Sequence, residues 1–264
     1  MNKFAKKRFG QNFITDSNLI KKIVSTLNNN YDYVIEIGPG KGALTRLLVD
    51  KFNKVIAIEI DKDFEDILNH INNKKLNIVW GNFLEIDFEK YINKSDKIAF
   101  ISNTPYYLTS QIIFRLFEMS KTFNIKDVVL MVQKEVGERI CAKVGEKKYN
   151  NLSVACNLFS NPTYKFTVKR NMFFPIPKVD SCIISFDFVN CKYKSFDQNN
   201  IIKMVRKLFN GKRKTILNNL RNTYPEIVNP HVMLETLSIN HQLRPNELSV
   251  DKYIMIYNSL ISQK

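Results

Sequence analysis

The chain has 264 residues, 44% of them hydrophobic, and carries 40 Lys and Arg against 25 Asp and Glu, a formal net charge of +15. This length and composition describe one large globular domain, or one domain with a small appendage. Apolar runs stay far shorter than the roughly 20 residues needed to cross a bilayer, which excludes a membrane-spanning helix. The charge points to a polyanionic partner, nucleic acid first, with part of the excess attributable to an Asn-, Lys- and Ile-rich composition.

The first residues are basic (Lys3, Lys6, Lys7, Arg8) and continue into Phe9-Gly10-Gln11-Asn12-Phe13, aromatics and amides interleaved as in a segment that lies on a surface. No apolar signal-peptide stretch accompanies these cations, so a cytoplasmic protein is expected. Cys141, Cys156, Cys182 and Cys191 lie far apart without a CxxC pair. They read as reduced core residues, and no metal site is expected. Asp16 or Ser17 can cap a helix whose Leu19, Ile20, Ile23, Val24 and Leu27 share one buried face.

At Tyr33 a strand–helix alternation begins. Tyr33-Val34-Ile35-Glu36-Ile37 has the composition of a buried strand and runs into Gly38-Pro39-Gly40-Lys41-Gly42, followed at once by a helix-forming run from Ala43. Glycines let the backbone approach a ligand, and free N–H groups at the helix start supply donors, so a nucleotide cradle is expected here. The next apolar run, Val55-Ile56-Ala57-Ile58, ends in Glu59, placed to bind both hydroxyls of an adenosine ribose. A helix over about Phe64 to Ile71 leads to the strand Leu76–Trp80 and the turn Gly81-Asn82. The strand Ile98–Ser102 then runs into Asn103-Thr104-Pro105-Tyr106, a helix follows over Ser110 to Met119, and a strand spans Val128–Val132. This pattern predicts a mostly parallel sheet covered by helices, with ligand sites at the carboxyl ends of strands, where Gly38, Glu59, Asn82 and Asn103 all fall.

Residues 134–158 read as helical with an interruption from Gly145 to Asn151. Two strands follow, Tyr164–Val168 and Cys182–Phe188, separated by the stiff segment Phe173-Phe174-Pro175-Ile176-Pro177. The polar stretch Lys192 to Asn200 marks a change of composition. Beyond it short helices are expected, and from residue 193 onward eleven Lys or Arg stand against five Asp or Glu. Two domains are therefore expected, one over 1–192 and a small, basic helical one over 193–264. The densest cationic cluster, Lys212-Arg213-Lys214, sits at a turn into a helix, where cations and N–H groups together hold phosphate.

Asn103-Thr104-Pro105-Tyr106 carries the most specific chemistry. An amide, a backbone carbonyl and an aromatic ring at one strand end suit an aromatic amine, whose N–H groups need acceptors and whose face needs a stacking partner. Adenine's exocyclic amine is a poor nucleophile because its lone pair is delocalised. Acceptors that hold both its hydrogens favour the form that attacks a methyl cation donor, which is positional and electrostatic catalysis without a strong base.

With these motifs in view, the chain resembles the rRNA adenine N6-dimethyltransferases. The resemblance rests on Phe9–Ile14, Glu36–Gly40, Ala57–Asp61, Asn103–Tyr106, Gln133–Val136, Pro177–Ser181 and Lys212–Thr215, and it covers nearly the whole chain. Gly10 and the segment Arg244–Ser249 fit the small-subunit branch, the KsgA type, better than the Erm branch that modifies large-subunit RNA. The resemblance implies a Rossmann-like class I methyltransferase sheet with one antiparallel strand and a small C-terminal helical domain. It implies S-adenosylmethionine as methyl donor, held by Asn12, Ile14, Gly38, Gly40, Glu59, Asn82 and Asn103. It implies that Asn103, the Thr104 carbonyl, Pro105 and Tyr106 hold the target adenine, with Phe173, or Phe174 beside it, as a second stacking ring. Lys6, Lys7, Arg8, Lys212, Arg213 and Lys214 are expected to bind RNA. The implied partner is small-subunit rRNA in the immature small ribosomal subunit, met by a monomer. Three positions depart from the family's pattern. Asn82 stands where Asp is usual, which implies weaker donor binding; Thr104 replaces Leu or Ile; Tyr107 replaces a polar residue. The alternatives are an Erm-type enzyme and a non-catalytic ribosome-assembly factor that kept the fold.

Overall fold

The computed structural model describes residues 12–28 and 30–262. The elements in chain order begin with β1 (Phe13–Ile14), α1 (Ser17–Val24), β2 (Tyr33–Ile37), α2 (Ala43–Lys51), β3 (Val55–Glu59), α3 (Glu65–Asn69) and β4 (Leu76–Trp80). Next come β5 (Ile98–Asn103), α4 (Thr109–Met119), β6 (Ile125–Gln133), α5 (Lys134–Ile140), α6 (Asn151–Phe159), β7 (Asn161–Val168), β8 (Phe173–Phe174) and β9 (Ser181–Asp187). The helices α7 (Gln198–Phe209), α8 (Ile216–Thr223), α9 (Pro230–Thr236) and α10 (Val250–Ser262) complete the chain.

The chain divides into two compact units, Met1–Gly137 with Thr163–Val189, and Glu138–Pro162 with Asn190–Lys264. The boundary expected after residue 192 lies beside the crossing near residue 190, and Glu138–Pro162 falls in the second unit as well. The reason is α6, whose Val154, Ala155, Cys156 and Leu158 are buried, and which packs on α7. The Leu158 carbonyl accepts from the Gln198 amide at 2.7 Å and from the Cys191 thiol at 3.2 Å. A polar linker read from composition marks one crossing and misses the earlier excursion.

The first unit is built on a seven-stranded sheet of order β4-β3-β2-β5-β6-β9-β7. The run β4 to β6 is parallel, and β9 pairs antiparallel with β6, Gln133 lying opposite Ser181. This is the class I methyltransferase sheet. Parallel strands covered on both faces need no polar face, which is why β3 and β5 read as unbroken apolar runs. On one side Leu44, Leu48 and Val49 of α2 and Ile23 and Val24 of α1 pack over Val34, Ala99 and Ile101. Another cluster is aromatic, with Phe83, Phe88 and Phe100 meeting edge to face at 5.8–6.1 Å between ring centres. Each such side chain, fully buried, contributes roughly 1.5–3 kcal/mol. The Asp16 carboxylate, rather than Ser17, caps α1, accepting from the Leu19 N–H at 2.7 Å. Outside the main sheet β1 pairs antiparallel with β8, Phe13 opposite Phe174 and Ile14 opposite Phe173. This ribbon ties the aromatic–proline segment to the N-terminal segment, a pairing of residues some 160 apart that no local pattern announces.

In the second unit, α8 is capped by Thr215, whose hydroxyl accepts from the Asn218 N–H. The turn before it is folded around Asn219, whose buried amide donates to the carbonyls of Gly211, Lys214 and Thr215 at 3.0–3.2 Å. Tyr253 of α10 is fully buried and its hydroxyl donates to the Pro245 carbonyl at 2.6 Å. No helix among the described residues is long and apolar enough to cross a membrane.

Candidate active site

The carboxyl ends of β2, β3, β4 and β5 open onto one cavity, because strand order sets these four side by side. Asn12, Ile14, Gly38, Gly40, Glu59, Asn82, Asn103, Thr104, Pro105 and Tyr106 all line it. Residues from five separate stretches of sequence are thus gathered at the place where an open parallel sheet presents its ligands.

The glycine turn is built for a ligand. Gly38 has φ of 70° and a Cβ added there would meet nothing within 4 Å, so open space lies over its backbone. Gly40 also has positive φ, and a Cβ would press on the Phe13 ring at 3.2 Å. The Gly40 N–H donates to Glu59 Oε2 at 2.9 Å, while the N–H groups of Ile60 and Asp61 donate to Oε1 at 2.9 and 2.8 Å. Glu59 is buried, and burial raises its carboxyl above the ordinary range while the three N–H donors pull it back. These bonds fix its plane, and Oε2, which accepts only the Gly40 N–H among them, keeps a second lone pair for a hydroxyl donor.

Glu36, one strand over, is also buried and lines the cavity. Its Oε2 accepts from the Thr45 hydroxyl at 2.6 Å, and burial pushes its carboxyl up to about 8, helped by the neighbouring charge of Glu59. Sequence reading quoted Glu36 within a motif but missed both its protonation and its partner. A threonine nine residues away across a turn leaves no periodic signal.

At β4 the Asn82 amide is held at both ends. Its Nδ2 donates to Glu85 Oε1 at 2.8 Å and its Oδ1 accepts from the Leu84 N–H at 3.1 Å. Glu85 thus sets which way the amide faces, a role sequence reading did not assign.

At β5 the Ser102 hydroxyl donates to the Ile37 carbonyl at 2.8 Å and locks the ends of two strands together. Beyond it, Asn103 Nδ2 donates to the Asn12 carbonyl at 2.8 Å. That bond leaves Oδ1 of Asn103 as an acceptor at the cavity. Thr104 is buried, its hydroxyl without a hydrogen-bond partner, so the methyl-bearing side chain sits where an aliphatic one would. Tyr106 is partly buried at the cavity edge and its hydroxyl lies 2.7 Å from Ser181 Oγ. Tyr107 is exposed at the same rim.

Phe173 is placed differently from expectation. Its ring is buried in the cluster that contains Ile14, Val24 and Ile183, and it does not line the cavity. Phe174, next to it, is 50% exposed. Alternation along a strand puts neighbours on opposite faces, and pairing of Phe173 with Ile14 turns it inward. Lys212, Arg213 and Lys214 are exposed, in the second unit. Lys6, Lys7 and Arg8 lie outside the described residues. Cys156, Cys182 and Cys191 are buried and Cys141 is partly so, and no cluster of three metal-ligating groups occurs among the described residues.

A protein-family model described as ribosomal RNA adenine dimethylase matches residues 2–262. A protein of Mesoplasma florum named ribosomal RNA small subunit methyltransferase A is 48% identical over 96% of this chain and 97% of its own length. The protein of the same name from Fusobacterium nucleatum is 39% identical over 94% and 95%. Among solved structures, a dimethyladenosine transferase from Plasmodium falciparum superposes with a TM-score of 0.79 at 25% identity, over 95% of this chain and 98% of that one. The 23S rRNA methyltransferase ErmE shares the fold at a TM-score of 0.73 and 23% identity, over 95% of this chain and 100% of that one. With its cavity lined by the motif residues and with these relatives, the chain belongs to the ribosomal RNA adenine dimethylase family.

Proposed function

We propose that this protein transfers methyl groups from S-adenosylmethionine to N6 of two adjacent adenosines in small-subunit rRNA, giving dimethyladenosine during ribosome assembly. The observation that carries the reading is Asn103. One Nδ2 hydrogen goes to the Asn12 carbonyl, which fixes the amide, and its Oδ1 remains as an acceptor in a side chain that lines the cavity with Thr104 and Tyr106.

The residues present fit the donor. The open space above Gly38 admits a ligand against the backbone. Glu59 Oε2 takes a ribose hydroxyl on its remaining lone pair, and Asn82 Oδ1 accepts from the donor's adenine amine. When bound, the sulfonium supplies an electrophilic methyl group. Everything else falls to the chain. Asn103 Oδ1 and the Thr104 carbonyl accept the two N6 hydrogens of the target base, which draws its lone pair out of conjugation. The Tyr106 ring stacks on the base and fixes the line of approach. Of the second-ring candidates, exposed Phe174 is better placed than Phe173 to meet a base. The proton released from N6 needs no strong base, since the attacked amine becomes acidic once methylated.

The second unit positions the RNA through Lys212, Arg213 and Lys214, with Lys6, Lys7 and Arg8 as a further contact. The protein acts as a monomer on the immature small subunit in the cytoplasm. The test is to incubate purified protein with labelled donor and under-methylated small subunits, large subunits, or naked RNA. Label in dimethyladenine of small-subunit RNA is expected, and Asn103→Ala loses it while keeping RNA binding. Label only in large-subunit RNA makes the protein Erm-like. RNA binding without any calorimetric response to the donor makes it an assembly factor.

A further inference from the structure

A stacking ring must hold its plane, and Tyr106 is attached to the chain in a short 3-10 turn, Tyr106–Leu108, that carries no side-chain cap. Two torsions separate the ring from that backbone, so its far end must be fixed by something else. The hydroxyl lies 2.7 Å from Ser181 Oγ. Ser181 is fully buried and opens β9, directly opposite Gln133 in the antiparallel pair with β6. The residue before it is pinned as well. The Asp180 carbonyl accepts from the Lys134 N–H at 3.0 Å, and its carboxylate accepts from the Arg170 N–H at 3.0 Å and pairs with Lys169 at 3.3 Å. The Ser181 hydroxyl therefore projects from a backbone position held by strand pairing and by the bonds of Asp180. Burial raises the Tyr106 hydroxyl above its ordinary range, so it stays neutral, a hydrogen-bonding group and no base.

We infer that Ser181 is a positioning residue for the target base, acting through the Tyr106 hydroxyl, so that the antiparallel strand β9 sets the plane of the stacking ring. This rests on the reading of Tyr106 as the base-stacking ring. The phenol then has no chemical part in methyl transfer; it is the far anchor of the ring. Losing either partner frees the ring in the same way, so the two losses must not add.

The experiment is a double-mutant cycle with Ser181→Ala, Tyr106→Phe and both together. Single-turnover methylation, donor affinity by calorimetry and thermal stability are measured for each. Each single variant is expected to slow methylation by about ten- to a hundredfold, the cost of a small misplacement of a reacting group. The double variant is expected to be no slower than the worse single one, and donor affinity unchanged in all three. If Ser181→Ala alone is unstable because it orphans the phenol, the comparison is made in the Tyr106→Phe background, where removing the Ser181 hydroxyl is expected to cost nothing. Additive losses, or a Ser181→Ala protein as fast as wild type, overturn the inference. A readout independent of turnover separates its failure from failure of the proposed activity. The Tyr106 13Cζ resonance, assigned by its absence in Tyr106→Phe, is expected to move in Ser181→Ala, and an unmoved resonance overturns the anchor even if the wild-type protein methylates nothing.

Discussion

Glu36 offers a prediction that needs no substrate. Its side chain is 1% exposed, accepts one hydrogen bond from Thr45, and has its carboxyl pushed from the ordinary 4.5 up to about 8. Between those two values the folded protein holds a proton that the unfolded chain has lost. Stability is therefore fully present below the unfolded value and falls as pH rises, by about 1.4 kcal/mol per pH unit, until the folded value is passed. The window of about 3.5 units gives an upper figure of about 5 kcal/mol, reduced to the extent that water in the adjoining cavity solvates the charge. Glu36→Gln keeps an oxygen for the Thr45 hydroxyl and cannot titrate. Urea unfolding of both proteins at several pH values between about 5 and 8 isolates the Glu36 carboxyl together with its coupling to Glu59, because groups that do not interact with it cancel in the difference. Trp80, the single tryptophan, lies at the end of β4 opposite Glu59 and reports on the unit that carries Glu36. The two proteins are expected to be close in stability at the acid end, with the glutamine variant ahead by several kcal/mol at the alkaline end. Parallel stability curves across that range would refute the account of a carboxyl held protonated by burial.

Three further outcomes are expected. Replacing Lys212, Arg213 and Lys214 with Ala weakens RNA binding and flattens its salt dependence by up to about three phosphate contacts, with donor affinity unchanged; an unaltered salt slope means the cluster is a solvated face. Asn82→Asp, although it installs the residue usual in the family, sets a carboxylate against Glu85 where an amide now donates. Donor affinity by calorimetry is expected to fall a few-fold and to recover when Glu85→Gln is added, and tighter binding with Glu85 in place contradicts this. Gly137 faces Cys182 so closely that an added Cβ would overlap the thiol sulfur. Gly137→Ala is expected to destabilise the protein by about 1–3 kcal/mol, with recovery on adding Cys182→Ala; a variant that melts with wild type shows the strand has room to move.

Local chemistry determined much of this protein. Short, mostly apolar runs that lead into Gly38, Glu59, Asn82 and Asn103 specify parallel strands and the ends that line the cavity, because each run and its terminator lie within a few residues of one another. The motifs that mark the family are legible in the same local way. What the sequence could not carry is anything decided by contacts between distant segments. The pairing of β1 with β8 buries Phe173 and leaves Phe174 exposed, a choice that Phe-Phe alone leaves open. Packing of α6 on α7 assigns Glu138–Pro162 to the helical unit, although composition marks a single boundary near residue 192. The amide orientation of Asn103 depends on a carbonyl 91 residues away, and the plane of Tyr106 on a hydroxyl 75 residues away. Periodicity and composition act over one turn of a helix or one strand. Hydrogen bonds and burial across the sheet are set only when the chain has closed on itself, and they alone decide which oxygen faces the cavity and which carboxyl keeps its proton.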